Sequence, residues 1–582
     1  HITKIFLSVV CALIIYIQIF FNIMSIFTKN KRIKIPRSKH NLSHSNILTM
    51  GPCRLVPINV EELAPTEKIG YRFGYSMFTD ALFAPVMQDM RVCVRDFIVP
   101  HRLLFHGFED FVTMSYVKDK DGVDVIKVPE SPYTTTTDIV TIVENNGSLK
   151  PLADYMRYKY GNHTTSNVAS SGLKNKHITL LPLVAYAKIY LDWFNDETFG
   201  YDGKRTFDSL LDALDNIYVG AGLGFNVYYP DGSYVLTNVL TFLFTLRYVA
   251  QPKNYFTSAM TAQQKGPSVK VPYSGSRATV LFNTDDGSDI PSTSSRMFPY
   301  VPGAGNPETE EFGVVSPYNG STISVLGHLY ADLASVDSPT IVEYRTREAL
   351  QRFLERNQTG GTRYVEFLRA HFGSKLPDPF AQRSQYLHGC KFSLSSQPVF
   401  SHSETSIAQD ETTLLGDYAG KLESRNTSSY CGYFTKEHCY HITLAYVQVP
   451  ISMGIEGLPR VNTRTKALDY LIPEFSNVGE QPINSSEMYM DVAFSVSDIF
   501  GYTPRFADFK SHYNEVHGDF LSSLNYWHAG LLGSGSAYQH INFNLIHAGA
   551  GSNVSRMFST NLLDPFRFWF YFDYHKTSPC TR

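Results

Sequence analysis

The chain has no CxxC pair, and its seven cysteines, Cys11, Cys53, Cys93, Cys390, Cys431, Cys439 and Cys580, are odd in number and scattered. That spacing excludes a legible disulfide framework or zinc ribbon and fits a reducing cytosolic origin. An excess of charge is lacking too. The net charge is −3, with 18% of residues charged, which excludes a surface that is basic throughout; any nucleic-acid contact must be local. Tryptophan is scarce, at 3, whereas Tyr and Phe reach 37 and 40 beside 39 Gly and 30 Pro, a composition that favours strands joined by long loops. With 582 residues, 43% of them hydrophobic, the chain is globular and long enough for one large core or several ordinary domains.

Catalytic and nucleotide-binding motifs are also missing. In "LERNQTGGTRYVEFLRAHFG", Leu354 to Gly373, no strand precedes the glycines and no Gly-Lys-Ser/Thr ending follows, so a phosphate loop is excluded. Instead Thr346 is placed to cap a helix with Ala349, Leu350, Phe353 and Leu354 on one stripe. Gly360, Gly361, Thr362 and Arg363 then form a turn, with Thr362 capping a second helix that Gly373 closes. "GAGLGF", Gly220 to Phe225, misses the dinucleotide spacing. "GSGSAYQH", Gly533 to His540, is not a hydrolase elbow. Cys431, His438, Cys439 and His441 carry metal-capable side chains, but three of them open a strand, where neighbours point to opposite faces, and ordinary packing is expected. No catalytic residue, metal site or cofactor is assigned.

The first residues raise a separate question. "IFLSVVCALIIYIQIFFNIM", Ile5 to Met24, has the length and hydropathy of a membrane-spanning helix. Because the chain opens on His1 and the run ends at Met24, residues 1–23 are read as lying upstream of the true start. Residues 24–50 then form a basic N-terminal arm, with Lys29, Lys31, Arg32, Lys34, Arg37 and Lys39 among no acidic residues. Such a run is either a solvated terminus or an arm laid against phosphates. The apolar run and eight Asn-x-Ser/Thr sequons motivate an alternative, a membrane-anchored, β-rich surface adhesin or binding protein.

Along the body, "DMRVCVRDFIVPHRLL" alternates Met90, Val92 and Val94 against Arg91, Cys93 and Arg95, predicting a strand with one buried face that Pro100 stops. "LPLVAYAKIYLDWFNDE", Leu181 to Glu197, reads as a helix on an apolar surface. Strands are predicted over "HITLAYVQVPIS", "MYMDVAFSV" (Met488 to Val496) and "RFWFYFDYH". The last places Phe568, Phe570, Phe572 and Tyr574 on one face and Arg567, Trp569, Tyr571, Asp573 and His575 on the other. Residues 276–337 are rich in Gly, Pro, Ser and Asp without sustained period, and so long a segment is either disordered or a functional protrusion. The pattern is mainly β, a sandwich or jelly roll with greatly enlarged loops.

Several stretches carry a collinear resemblance. "MSIF" with its basic arm, "LVPINVEELAPTEKI", "FIVPHRLLFHGFEDF", "LPLVAYAKIYLDWFNDE" and "QKGPSVKVP" occur in the order found in the major capsid protein of the Microviridae, closest to its gokushovirus-like branch. So do "REALQRFLERNQTGGTRYVEFLRAHFG", "QRSQYLHG", "GEQPINSSEMY" and "FGYTPRFADFKSHYNEVHGDF". Residues 1–23, the loops around 112–175, 200–250 and 390–430, and the ending "HKTSPCTR" do not resemble the family. The resemblance implies a viral jelly-roll β-barrel or sandwich, residues 51–582 as one domain, with long loop insertions containing several α-helices. It also implies pentamers that build a T=1 icosahedral shell around circular single-stranded DNA, assembled in the bacterial host cytoplasm. The implied partners are small internal DNA-binding and pilot virion proteins and a host surface receptor, with 276–337 as a protrusion at the threefold axes.

Overall fold

A computed structural model describes residues 36–113, 116–118, 124–126, 130–158, 176–196, 199–264, 280–284, 289–291, 296–299, 312–315, 327–331, 341–360, 382–400, 405–407, 411–413, 418–454, 457–476, 479–489, 498–532, 541, 545–546, 551–560 and 564–579. The chain divides into two compact units. One comprises His1–Thr257, Pro377–Gly457 and His512–Arg582, the other Ser258–Leu376 and Leu458–Ser511.

The first unit is built on two antiparallel sheets. Its strands are β1 (Ser38–Asn41), β2 (His44–Met50), β3 (Val56–Leu63), β4 (Lys68–Thr79), β5 (Arg91–Pro100), a hairpin of β6 (Gly224–Tyr228) and β7 (Tyr234–Asn238), β8 (Gln385–Ser393), β9 (Ser395–Phe400), β10 (Tyr418–Thr427), β11 (Cys431–Phe434), β12 (Cys439–Gln448) and β13 (Phe566–Ser578). The larger sheet has seven strands: β1 and β2 both pair with β13, which pairs with β4; β4 in turn pairs with β10 and β11, and β9 lies beyond β10. The smaller runs β8–β5–β12–β3. Strands β8 and β9 are separated by Leu394 alone, so the chain passes from one sheet to the other there. The described residues are mainly β and form a sandwich with no closed barrel.

Alternation explains β13. Phe566, Phe568, Phe570, Phe572 and Tyr574 are buried, while Arg567 and Trp569 face solvent. Burying each aromatic contributes about 1.5–3 kcal/mol. Across the sandwich, Tyr71 and Tyr75 of β4 meet His441 of β12 and Phe392 of β8, with ring centroids 4.7 and 5.5 Å apart.

Strand β5 departs from its expected half-burial. Its even positions face the other sheet, and the odd positions Cys93, Phe97 and Val99 are buried as well. The cause is helical cover: α2 (Leu181–Ile189) continues as a π-turn over Tyr190–Phe194, and Trp193 and Phe194 each stand 5.8 Å from the Phe97 ring. The expected helix is there, buried nearly all round, which its mixed spacing reflects. Before it comes α1 (Lys150–Tyr155), and after it α3 (Gly203–Leu214) and α4 (Val239–Phe244).

Two glycines with close neighbours differ in consequence. A Cβ on Gly420 would meet the Ala84 carbonyl oxygen at 2.6 Å and Pro85 N at 2.9 Å, both backbone. A Cβ on Gly70 would meet the Tyr430 ring, the far end of an exposed side chain that can swing away. Gly420→Ala is therefore expected to cost about 1–3 kcal/mol by overpacking, and Gly70→Ala about 0.5 kcal/mol or less. Chemical denaturation of the two variants checks the ranking.

The second unit contains α5 (Ile341–Gly360) and an antiparallel hairpin of Glu480–Asn484 with Ile499–Pro504. Thr346 does not cap α5. The helix begins at Ile341, five residues earlier, and the Thr346 hydroxyl donates back to the Val342 carbonyl at 2.8 Å inside the helix. Gly360 ends α5, whereas Gly361, Thr362 and Arg363 lie outside the described residues. Met488 closes a short helix, Ser485–Met488, whose capping box joins Asn484 and Glu487, and the rest of that predicted strand from 490 lies outside the described residues. Within 276–337, Val280–Thr284 pairs with both Asp289–Pro291 and Gly327–Ala331, and Arg296–Pro299 pairs with Phe312–Val315. No described helix is long and apolar enough to cross a membrane; Ile5 to Met24 lies outside the described residues.

Candidate assembly and nucleic-acid surface

The outward face of the seven-stranded sheet is set by register. Ile47, Trp569 and Ser76 are opposed across β2, β13 and β4, as are Thr49, Arg567 and Phe78 in the next such row. Directly opposed residues share a face, so Ile47, Trp569 and Phe78, which are 80%, 44% and 50% exposed, form an apolar patch on open sheet. Gly74 admits the Tyr571 ring above it, and the Tyr571 hydroxyl hydrogen-bonds the Thr427 hydroxyl at 2.6 Å. With α1 as its far wall, this face forms a groove of about 850 Å³.

Charge rims the groove. Arg567 pairs with buried Asp80, and Arg54 with Asp564 at 2.9 Å. Lys150 and Arg157 are exposed and have no ion-pair partner among the described residues. Arg425 of β10, opposite Ser76, adds another exposed cation to the face.

The basic arm enters this sheet. Residues 38–41 and 44–50 pair with β13 in one continuous register, and this gives the end of the arm a backbone partner. Lys39 opposes Thr577, on the same side as Trp569, and the Arg37 guanidinium stands 5.9 Å from the Phe434 ring centroid. Both cations are exposed. Lys29, Lys31, Arg32 and Lys34 lie outside the described residues.

Between the sheets lies a polar cluster that sequence reading missed. Asp96 of β5 is fully buried, accepts a 2.6 Å hydrogen bond from the Thr443 hydroxyl, and stands 3.5 Å from His388 Nδ1 and 3.7 Å from His441 Nε2. From the opposite sheet the Tyr574 hydroxyl reaches His441 Nδ1 at 3.2 Å. Burial pushes the Asp96 carboxyl up, but His388, His441 and Thr443 together outweigh it and hold the group below its ordinary range. The available signal was one acid inside the apolar run of β5; its partners come from strands almost 300 residues or more away in sequence.

The four metal-capable residues singled out from sequence do not form a ligand set among the described residues. His438 lies against His101, with ring centroids 6.3 Å apart, Cys439 joins the apolar core and His441 faces Asp96. His106, Asp212 and Asp215 do bring ligand atoms within 4.8 Å of one another, but all three are exposed, and His106 with Asp215 at 3.1 Å makes an ordinary surface pair.

Known proteins share this chain's pattern. It is similar to the capsid protein VP1 of Bdellovibrio phage phiMH2K, at 26% identity over 532 residues and 86% coverage of each chain. It is likewise similar to the capsid protein VP1 of Spiroplasma virus 4, at 28% over 524 residues and 86% of each chain. A third relative, the capsid protein VP1 of Chlamydia phage 1, is 27% identical over 562 residues, covering 86% of this chain and 88% of its own. The family described as capsid protein (F protein) matches residues 29–580, and the chain belongs to that family.

Proposed function

We propose that the protein is the major capsid protein of a small single-stranded DNA bacteriophage. In this reading a jelly-roll subunit forms pentamers that close into a T=1 shell around a circular genome, and the mature protein resides in the virion. The observation that carries it is the family match over nearly the whole chain. Its work is association: a sandwich with an open, partly apolar sheet face offers wide contacts that icosahedral closure repeats many times. Small internal DNA-binding and pilot proteins are the expected partners inside the shell.

Packaged DNA is the expected ligand of the basic arm. Lys39 and Arg37 place its end on the sheet face that also carries Arg425. Cations there neutralise phosphates. Neutralising Lys29, Lys31, Arg32, Lys34, Arg37 and Lys39 is expected to reduce DNA per particle severalfold at near-normal shell yield. The ratio of absorbance at 260 and 280 nm in purified particles reads this, and an unchanged ratio removes the arm from DNA contact.

Expression from Met24, alone and with the other virion proteins, tests the assembly itself by negative-stain electron microscopy. Icosahedral particles or five-membered rings are expected. Monomers in both samples, with the full chain found in membranes, would favour an anchored binding protein instead.

A further inference from the structure

The β6–β7 hairpin is fixed on one strand and bare on the other. Phe225 and Val227 of β6 are buried, and its backbone is tied to α3, Asn226 N donating to Ser209 Oγ at 3.2 Å and Tyr228 N to Thr206 Oγ1 at 3.0 Å. By contrast, Tyr234, Val235 and Leu236 of β7 are 62%, 52% and 72% exposed, and among the described residues β7 pairs with β6 alone. A chargeless strand with a free edge and three successive exposed apolar residues is an association surface. From Gly220 to Leu246 the sole charged residue is Asp231, at the hairpin tip. Its Oδ1 accepts from Ser233 N at 2.9 Å and Ser233 Oγ at 2.6 Å, and these bonds hold the carboxyl below its ordinary range. Gly232 takes φ +86°, which shapes the turn that carries it.

The sheet-face groove has the opposite character. Ile47, Phe78 and Trp569 give it an apolar floor, and at its rim, beside Asp154, Lys150 and Arg157 have no ion-pair partner among the described residues. We propose that the β6–β7 hairpin of one copy of this chain seats in the groove of a second copy, with Leu236 and its neighbours on the apolar floor and Asp231 against Lys150 and Arg157. Knob and groove are different patches of one subunit, so the contact is head-to-tail and generates a closed ring when the rotation between copies closes. The inference rests on the shell-forming reading and names one contact within it.

The test uses full chains. Leu236→Cys and Ile47→Cys chains, both altered at exposed positions, are mixed, assembled and oxidised, with each variant alone and the unaltered chain as controls for the native cysteines. Disulfide-linked dimers confined to the mixture are the expected result. Separately, Asp231→Lys is expected to lower the assembled fraction about tenfold, and adding Lys150→Glu with Arg157→Glu to restore it. Particles that form without the mixed cross-link overturn the contact and leave the capsid reading intact. Leu236→Cys chains that link only to one another show edge-to-edge pairing instead. Ultraviolet cross-linking of packaged DNA to Trp569 without the mixed disulfide assigns the groove to nucleic acid. A chain that stays monomeric beside its virion partners overturns the capsid reading and the contact with it.

Discussion

Asp96→Ala is expected to destabilise the subunit by about 3–5 kcal/mol, the usual loss when one partner leaves a buried ionic cluster. His388, His441 and Thr443 would be left around a void between the sheets, with no carboxylate to face. Because domains are stable by only about 5–15 kcal/mol, most of the chain is expected in the insoluble fraction and few particles to form. Asp96→Asn keeps the shape and the Thr443 hydrogen bond, so its cost should be nearer 1–3 kcal/mol. Soluble yield and urea midpoints rank the pair.

The same carboxyl sets an acid limit. Its folded pKa lies below its ordinary value of 3.8, so its contribution is complete above that value and disappears as the pH falls through the folded one. The melting temperature of the natural chain is expected to drop steeply below about pH 4, and that of Asp96→Asn to follow a shallower course there. Equal slopes would mean that other acids carry the acid transition.

Deleting 276–337 and joining the ends with a short flexible linker is expected to leave shells that form but do not adsorb to host cells. Among the described residues, the short strands in this stretch pair only with one another, which is why assembly is expected to survive. Counting particles by microscopy and measuring adsorption separates the two effects. Insoluble chains would place the segment among the determinants of folding.

What could be read from sequence was what local pattern controls. The final strand was legible because four alternating aromatics, Phe568, Phe570, Phe572 and Tyr574, fall on one face, and α2 because its apolar residues recur at three- and four-residue spacings. Strand β5 was half legible: its alternation was visible, but the helix that buries its second face comes almost 90 residues later. Thr346 misled because a threonine hydroxyl serves equally as a cap and as an in-helix donor to the preceding turn. The basic arm was visible as a charge run, yet its docking on β13 depends on residues at the other end of the chain. For the groove and the Asp96 cluster, no local signal exists for which distant strand lies opposite.

The pairing of β13 with β1, β2 and β4 also orders events in time. Residues near position 40 to 79 wait, throughout synthesis of roughly five hundred more, for the strand that completes their sheet. Pairings of such long sequence separation form slowly and leave edges bare meanwhile. A nascent chain thus lacks the finished Ile47, Phe78 and Trp569 face until its last strand leaves the ribosome. Incomplete chains present no such face, so they could not offer the groove proposed to seat a second copy.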